Sequence, residues 1–195
     1  MSDDLWLVVG LGNPGTEYAN TRHNVGQMVL AELAARASAT FKTHKTNSTV
    51  AEGRIVPGGP RYLLAKPNTY MNVSGGPVAA LLRFYSLQPD RLIVLQDELD
   101  IPFDTLKIKF GGGHGGHNGV RDIIAAIGTG DFVRVRVGVG RPPGSRAAAE
   151  HVLRAFSKDE RATLPSLIAD AADAVELITG NGLSAAQLRF HTTAT

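Results

Sequence analysis

The segment RLIVLQD, residues 91–97, sets four consecutive apolar residues between an arginine and a carboxylate, and its reading decides the fold. A run this short, rich in branched aliphatic side chains, reads as a strand buried on both faces. LWLVVG (5–10), closed by glycine, reads the same way. Around these two, Val25, Met28, Val29 and Leu33 follow helical spacing, with Asn20 and Thr21 as candidate caps. TVAEGRIV (49–56) and RYLLAKP (61–67) flank PGGP and predict a hairpin, followed by a helix over 74–85. TLKIKF (105–110) and FVRVRVGV (132–139) alternate with period two, so Lys107 and Lys109 share one strand face, as do Arg134 and Arg136. NGVRDIIAAIG lies between them as a helix, and Lys158 to Ile178 carries one apolar stripe. Strands alternating with helices, with a hairpin included, predict a single three-layer α/β domain over residues 1–195, a mixed twisted sheet flanked by helices.

Composition narrows the class. With 43% apolar and 19% charged residues in 195 positions, the chain can bury a sizeable core. No apolar run approaches the ~20 residues of a membrane helix. The start, MSDDLWLVVG, is acidic where a secretory signal begins basic, and cytoplasmic localisation is the default expectation. The absence of cysteine excludes disulfides, thiolate metal sites and a cysteine nucleophile. Net charge is only +2, yet Asp104 to Arg146 holds seven basic residues against three acids. That local surplus suits a polyanion held at one place, and a solvated basic face explains it equally well.

Several motifs compete for the chemistry. GLGNPG (10–15) matches the glycine pattern of dinucleotide sites, but the helix begins well past the glycines and the acid at the required distance, Glu32, sits mid-helix. His23 is expected in the first turn of the helix, where the positive helix terminus keeps an imidazole neutral, as a general base requires; taken alone, a surface or capping histidine is the plainer alternative. Asp97, at the C-terminal end of its strand, faces the crevice where open α/β sheets bind ligands. A carboxylate there can hold one ring nitrogen so that the other takes a proton from water, and a plain turn residue in DELDIP is the alternative. Grouped with Glu98 and Asp100 it lacks the ligand count and glycine of a calcium loop, so no metal is expected. Asn13, Asn72 and Asn118 stand at turns on the same rim, where an amide can donate to a carbonyl. Turn and cap roles account for each of them singly.

FGGGHGGHNG (110–119) spends six of ten positions on glycine. His114 and His117 have no third strong ligand in that segment, which argues against a metal. A phosphate cradle before a helix and a glycine hinge both remain. The reading adopted is a mobile glycine lid with Asn118 at its helix end and lysines alongside for phosphate.

Taken together, GLGNPG, YANTRHNVG, KPNTYMN, the strand ending in Asp97 and FGGGHGGHNG, in that order, resemble the bacterial peptidyl-tRNA hydrolases over roughly Leu5 to Leu188. The resemblance implies hydrolysis of the ester joining a peptide to the 3′ ribose of tRNA, recycling tRNA lost from ribosomes. It implies His23 as the base, Asp97 as its stabilising partner and Asn13 as the group separating blocked from free aminoacyl-tRNA. Tyr18, Tyr70, Met71, Asn72, His117 and Asn118 would contact the substrate's 3′ end or the peptide. Lys107, Lys109 and Arg136 would clamp the tRNA 5′ phosphate. The family is monomeric and needs no metal or cofactor, and Tyr70 stands where other members often carry Phe. The alternative is a non-catalytic RNA-binding relative of the same fold, which would bind tRNA without turnover.

Overall fold

The two apolar runs lie side by side at the centre of one sheet. In the computed structural model, which describes residues 4–191, β1 (Leu5–Gly10) pairs in parallel with β5 (Leu92–Glu98), and Leu92 to Leu95 are wholly buried. The acidic start at 1–3 and the ends of the expected 1–195 span lie outside the described residues. On one side of this pair follow β4 (Arg61–Pro67), β3 (Ser48–Arg54) and β2 (Lys42–His44), and on the other β7 (Val133–Gly138) and β6 (Leu106–Phe110). β4, β1, β5 and β7 run parallel, whereas the β2–β3, β3–β4 and β6–β7 pairs are antiparallel, so the sheet is mixed. The hairpin through PGGP forms as expected. β2 has no counterpart in the sequence reading, because its residues KTH carry no apolar pattern and lie largely exposed at the sheet edge.

Alternation along the strands divides the core into two layers. Val8, Ile93 and Leu95 pack towards α1 (Val25–Arg36) and the C-terminal helices α5 (Lys158–Asn181) and α6 (Leu183–His191). Leu7, Val9 and Val94 pack towards α2 (Gly75–Phe84) and α3 (Asn118–Ile127). The expected three layers are thus present. A short α4 (Ala148–Val152) leads into α5, whose start is fixed by a reciprocal Ser157–Glu160 capping box. Among the described residues no helix is long and apolar enough to cross a membrane.

The entry to α1 departs from expectation. Asn20 and Thr21 do not cap it: the Thr21 hydroxyl donates to the Tyr18 carbonyl, and a 3-10 turn, Arg22–Asn24, precedes the helix. Tertiary contacts account for the difference. The Arg22 N–H donates to the Arg154 carbonyl, and its buried guanidinium reaches the His151 carbonyl and the Glu160 carboxylate, 2.7 Å away. These bonds hold the backbone in a tighter turn than an α-helix would. One turn on, Gly26 lets α1 lie directly on β5: a Cβ there would sit 2.2 Å from the Leu95 carbonyl oxygen. That close approach brings the 3-10 turn against the end of β5.

Candidate active site

His23 reaches Asp97 from this turn. Its Nδ1 lies 3.0 and 2.9 Å from the two carboxylate oxygens, and Asp97 is buried at the penultimate position of β5. A second ring approaches the same carboxylate: His117 Nε2 lies 2.8 Å from Oδ1. His117 is the N-cap of α3, and its Nδ1 accepts the Val120 N–H at 3.3 Å. Since Nδ1 accepts, the proton sits on Nε2, which donates to Asp97. His23 differs. With Nδ1 given to Asp97, its Nε2 has no hydrogen-bond partner among the described residues, and the ring lines a cleft of about 590 Å³.

The electrostatics correct the sequence reading. His23 is not in the first turn of an α-helix, and its pKa is raised rather than held down. Burial alone would lower it, but the charge of Asp97 and the hydrogen bond to it outweigh burial. The histidine at a helix N-terminus is His117. Burial of Asp97 opposes its ionisation, yet the two rings hold it well below the usual carboxylate range, so it stays charged.

Asn13 is fixed on three sides. Asn24 accepts its backbone N–H and donates to its carbonyl, both at 2.9 Å, while the Asn13 Oδ1 accepts the Met71 N–H at 2.7 Å. The group it has left to offer is the Nδ2 donor. Asn118, the first residue of α3, has its Oδ1 engaged by Arg121 at 2.9 Å and likewise retains Nδ2. Asn13, Tyr70, Met71, Asn72, His117 and Asn118 all line the cleft with His23 and Asp97. Tyr18 does not line it, but meets Tyr70 edge to face at 6.3 Å between ring centres. Lys107, Lys109 and Arg136 also lie off the cleft. The antiparallel register pairs Lys107 with Arg136 and Lys109 with Arg134, so the four share one face of the β6–β7 ribbon.

Sequence reasoning passed over Asn24, although it follows His23 directly within RHNVG; its value lies in bonds made eleven residues away. It also passed over the far wall of the cleft, formed by Leu99, Val152 and Leu153, whose spacing carries no motif. No single segment of the sequence carries a full set of metal ligands. The fold brings one ligand atom each of His23, Asp97 and His117 within 4.8 Å of one another, a set that could hold a divalent cation. The same atoms are satisfied without one, at 2.8–3.0 Å, as hydrogen-bond donors and acceptor. His114 is not part of this set; it accepts the Gly116 N–H.

Comparison with known proteins is decisive about ancestry. The family model described as peptidyl-tRNA hydrolase matches residues 7–195. The chain belongs to the peptidyl-tRNA hydrolase family. A peptidyl-tRNA hydrolase from Leifsonia xyli subsp. xyli is 76% identical over 97% of this chain and 98% of its own length. One from Arthrobacter sp. is 60% identical, covering 97% of each. The crystal structure of peptidyl-tRNA hydrolase from Acinetobacter baumannii superposes with a TM-score of 0.88 at 37% identity, covering 96% of this chain and 94% of that one. The mixed seven-stranded sheet is thus the peptidyl-tRNA hydrolase fold, and membership favours an enzyme over the RNA-binding alternative.

Proposed function

We propose that this chain hydrolyses the ester between the peptide and the 3′ ribose of peptidyl-tRNA, with His23 as general base and Asp97 as its partner. The observation that carries this is the division of the His23 ring: Nδ1 bonded to a buried carboxylate, Nε2 unpartnered in the cleft. Nε2 takes a proton from a water whose oxygen attacks the ester carbonyl. Asp97 stabilises the imidazolium that forms, and the same proton then passes to the departing 3′ oxygen as the C–O bond breaks.

The two asparagine donors supply the remaining polar contacts. Asn118 Nδ2 is offered to the charge that develops on the carbonyl oxygen. Asn13 Nδ2 meets a backbone carbonyl that a peptidyl group has and a free aminoacyl group lacks. Such a contact, left unmade, costs about 1–3 kcal/mol when buried. Tyr70 and Tyr18 give an edge-to-face pair on which the 3′ end can stack. Lys107, Lys109 and Arg136 suit the 5′ phosphate, an interaction that weakens as salt rises. We further propose that the protein works as a monomer in the cytoplasm and takes no cofactor.

The test compares hydrolysis of N-blocked and free aminoacyl-tRNA by the unmutated protein and by Asn13→Ala. The reading expects selective cleavage of the blocked substrate and loss of that selectivity in the variant. Equal cleavage of both substrates by the unmutated protein would refute it.

A further inference from the structure

Outside the cleft one buried charge stands without an obvious purpose. Arg134, the second residue of β7, is 2% exposed, and its guanidinium stacks 4.7 Å from the centre of the Phe132 ring. Among the described residues no carboxylate lies within ion-pair distance of it, and its Nε has no partner. The charged groups that face it are themselves cationic: Arg136 on its own strand and Lys109 opposite it on β6, with Glu98 acting on Lys109. Burying a cation in such surroundings is unfavourable unless its donors are used.

They are used on the glycine loop. Nη2 donates to the Gly112 carbonyl at 2.7 Å and to the Gly130 carbonyl at 3.1 Å, and Nη1 donates to the Gly113 carbonyl. The planar fork thus holds successive peptide units where the loop leaves β6. Gly112 there has φ +87°, and the Lys109 ammonium lies 2.8 Å from where a Cβ would project, so a side chain would displace both. The loop's other end is held by the His117–Asp97 bond. Between these anchors, added Cβ atoms on Gly113, Gly115 and Gly116 would meet nothing within 4 Å. The span is secured at its two ends.

We propose that Arg134 is a positioning residue for the hydrolytic reaction: by gripping the carbonyls at the root of the glycine loop it seats His117 on Asp97 and Asn118 on the cleft. The inference rests on the hydrolase reading above. Loss of the grip frees the loop, and Asp97 loses one of its two donors. The carboxylate then acts on His23 alone, which becomes harder to deprotonate.

The experiment uses the full chain and N-blocked aminoacyl-tRNA. If the unmutated protein gives no turnover, the hydrolase reading fails; the Arg134 proposal is judged on the variants relative to an active parent. Arg134→Met, which keeps length but loses charge and fork, should lower kcat by about 10–100-fold with KM changed far less, as expected for a misplaced catalytic constellation. The acid limb of its kcat/KM profile should move to higher pH, as should that of His117→Ala. Because both act in part through the His117–Asp97 contact, adding Arg134→Met to His117→Ala should cost clearly less than the loss Arg134→Met causes in the parent. Arg134→Lys, which retains the charge but not the fork, should recover only part of the loss and serves in place of the methionine variant should that one not fold. A full multiplicative loss in the His117→Ala background, an acid limb that stays put in a folded Arg134 variant, or wild-type kcat in Arg134→Lys would overturn the proposal.

Discussion

Two imidazoles lean on one carboxylate, yet the structure equips them differently. His23 comes from a 3-10 turn and gives Nδ1 to Asp97, so its second nitrogen stays available in the cleft. His117 comes from a helix N-cap and gives Nε2, while its second nitrogen is consumed by the Val120 N–H. Residue type and distance to Asp97 are the same within 0.2 Å. What separates a base from a support is where the other nitrogen goes.

The strongest way to break this comparison is to remove each ring in turn. His23→Ala should lower kcat/KM by about 10³–10⁴-fold with tRNA binding retained, whereas His117→Ala should cost only about 10–100-fold. Steady-state kinetics beside a filter-binding measurement of tRNA affinity decides it, and equal losses would erase the distinction. Next in size, Asp97→Asn should cost about 10²–10³-fold and move the acid limb of kcat/KM to lower pH, since burial, without the opposing charge, depresses the His23 pKa. Asn13→Ala should change discrimination between blocked and free substrates by about 5–150-fold, the range of 1–3 kcal/mol. Smallest, Lys109→Ala or Arg136→Ala should weaken tRNA binding uniformly and reduce the slope of log affinity against log salt by about one.

Protonation also sets stability against activity. The His23 pKa is raised, so the stability it contributes is complete below its ordinary value of 6.5 and is lost as pH climbs through the raised value. Asp97 is depressed, so its contribution is complete above its ordinary 3.8 and is lost as pH falls towards the depressed value. Between those limits the pair is an ion pair and the base is protonated. Activity therefore appears on the alkaline side, where part of the pair's stabilisation has been given up.

Much of this was legible in the chain itself. Four-residue apolar runs identified the central strands, and the end of one of them located Asp97 at the crevice. Period-two alternation correctly put Lys107 and Lys109 on one face of their strand and Arg134 and Arg136 on one face of theirs, and the register of β6 on β7 joins the two pairs. What escaped was decided by contacts distant in sequence. Arg22 reshapes the start of α1 by bonding a carboxylate 138 residues away, and Asn24 serves Asn13 across eleven. Arg134 looked like one more basic residue on a strand, whereas its partners are carbonyls of a loop some twenty residues earlier. The positive helix terminus falls at the other histidine: His117 caps α3, while His23 sits in a 3-10 turn that tertiary bonds of Arg22 impose before α1.

Imidazole ¹⁵N resonances of His23, followed by NMR as a function of pH, probe the central claim most directly. The account predicts a proton on Nδ1 in the neutral ring, an apparent pKa above 6.5 in the unmutated protein, and a fall below that value in Asp97→Asn. A His23 that carries its proton on Nε2, or titrates at the same pH with and without the Asp97 carboxylate, would contradict it.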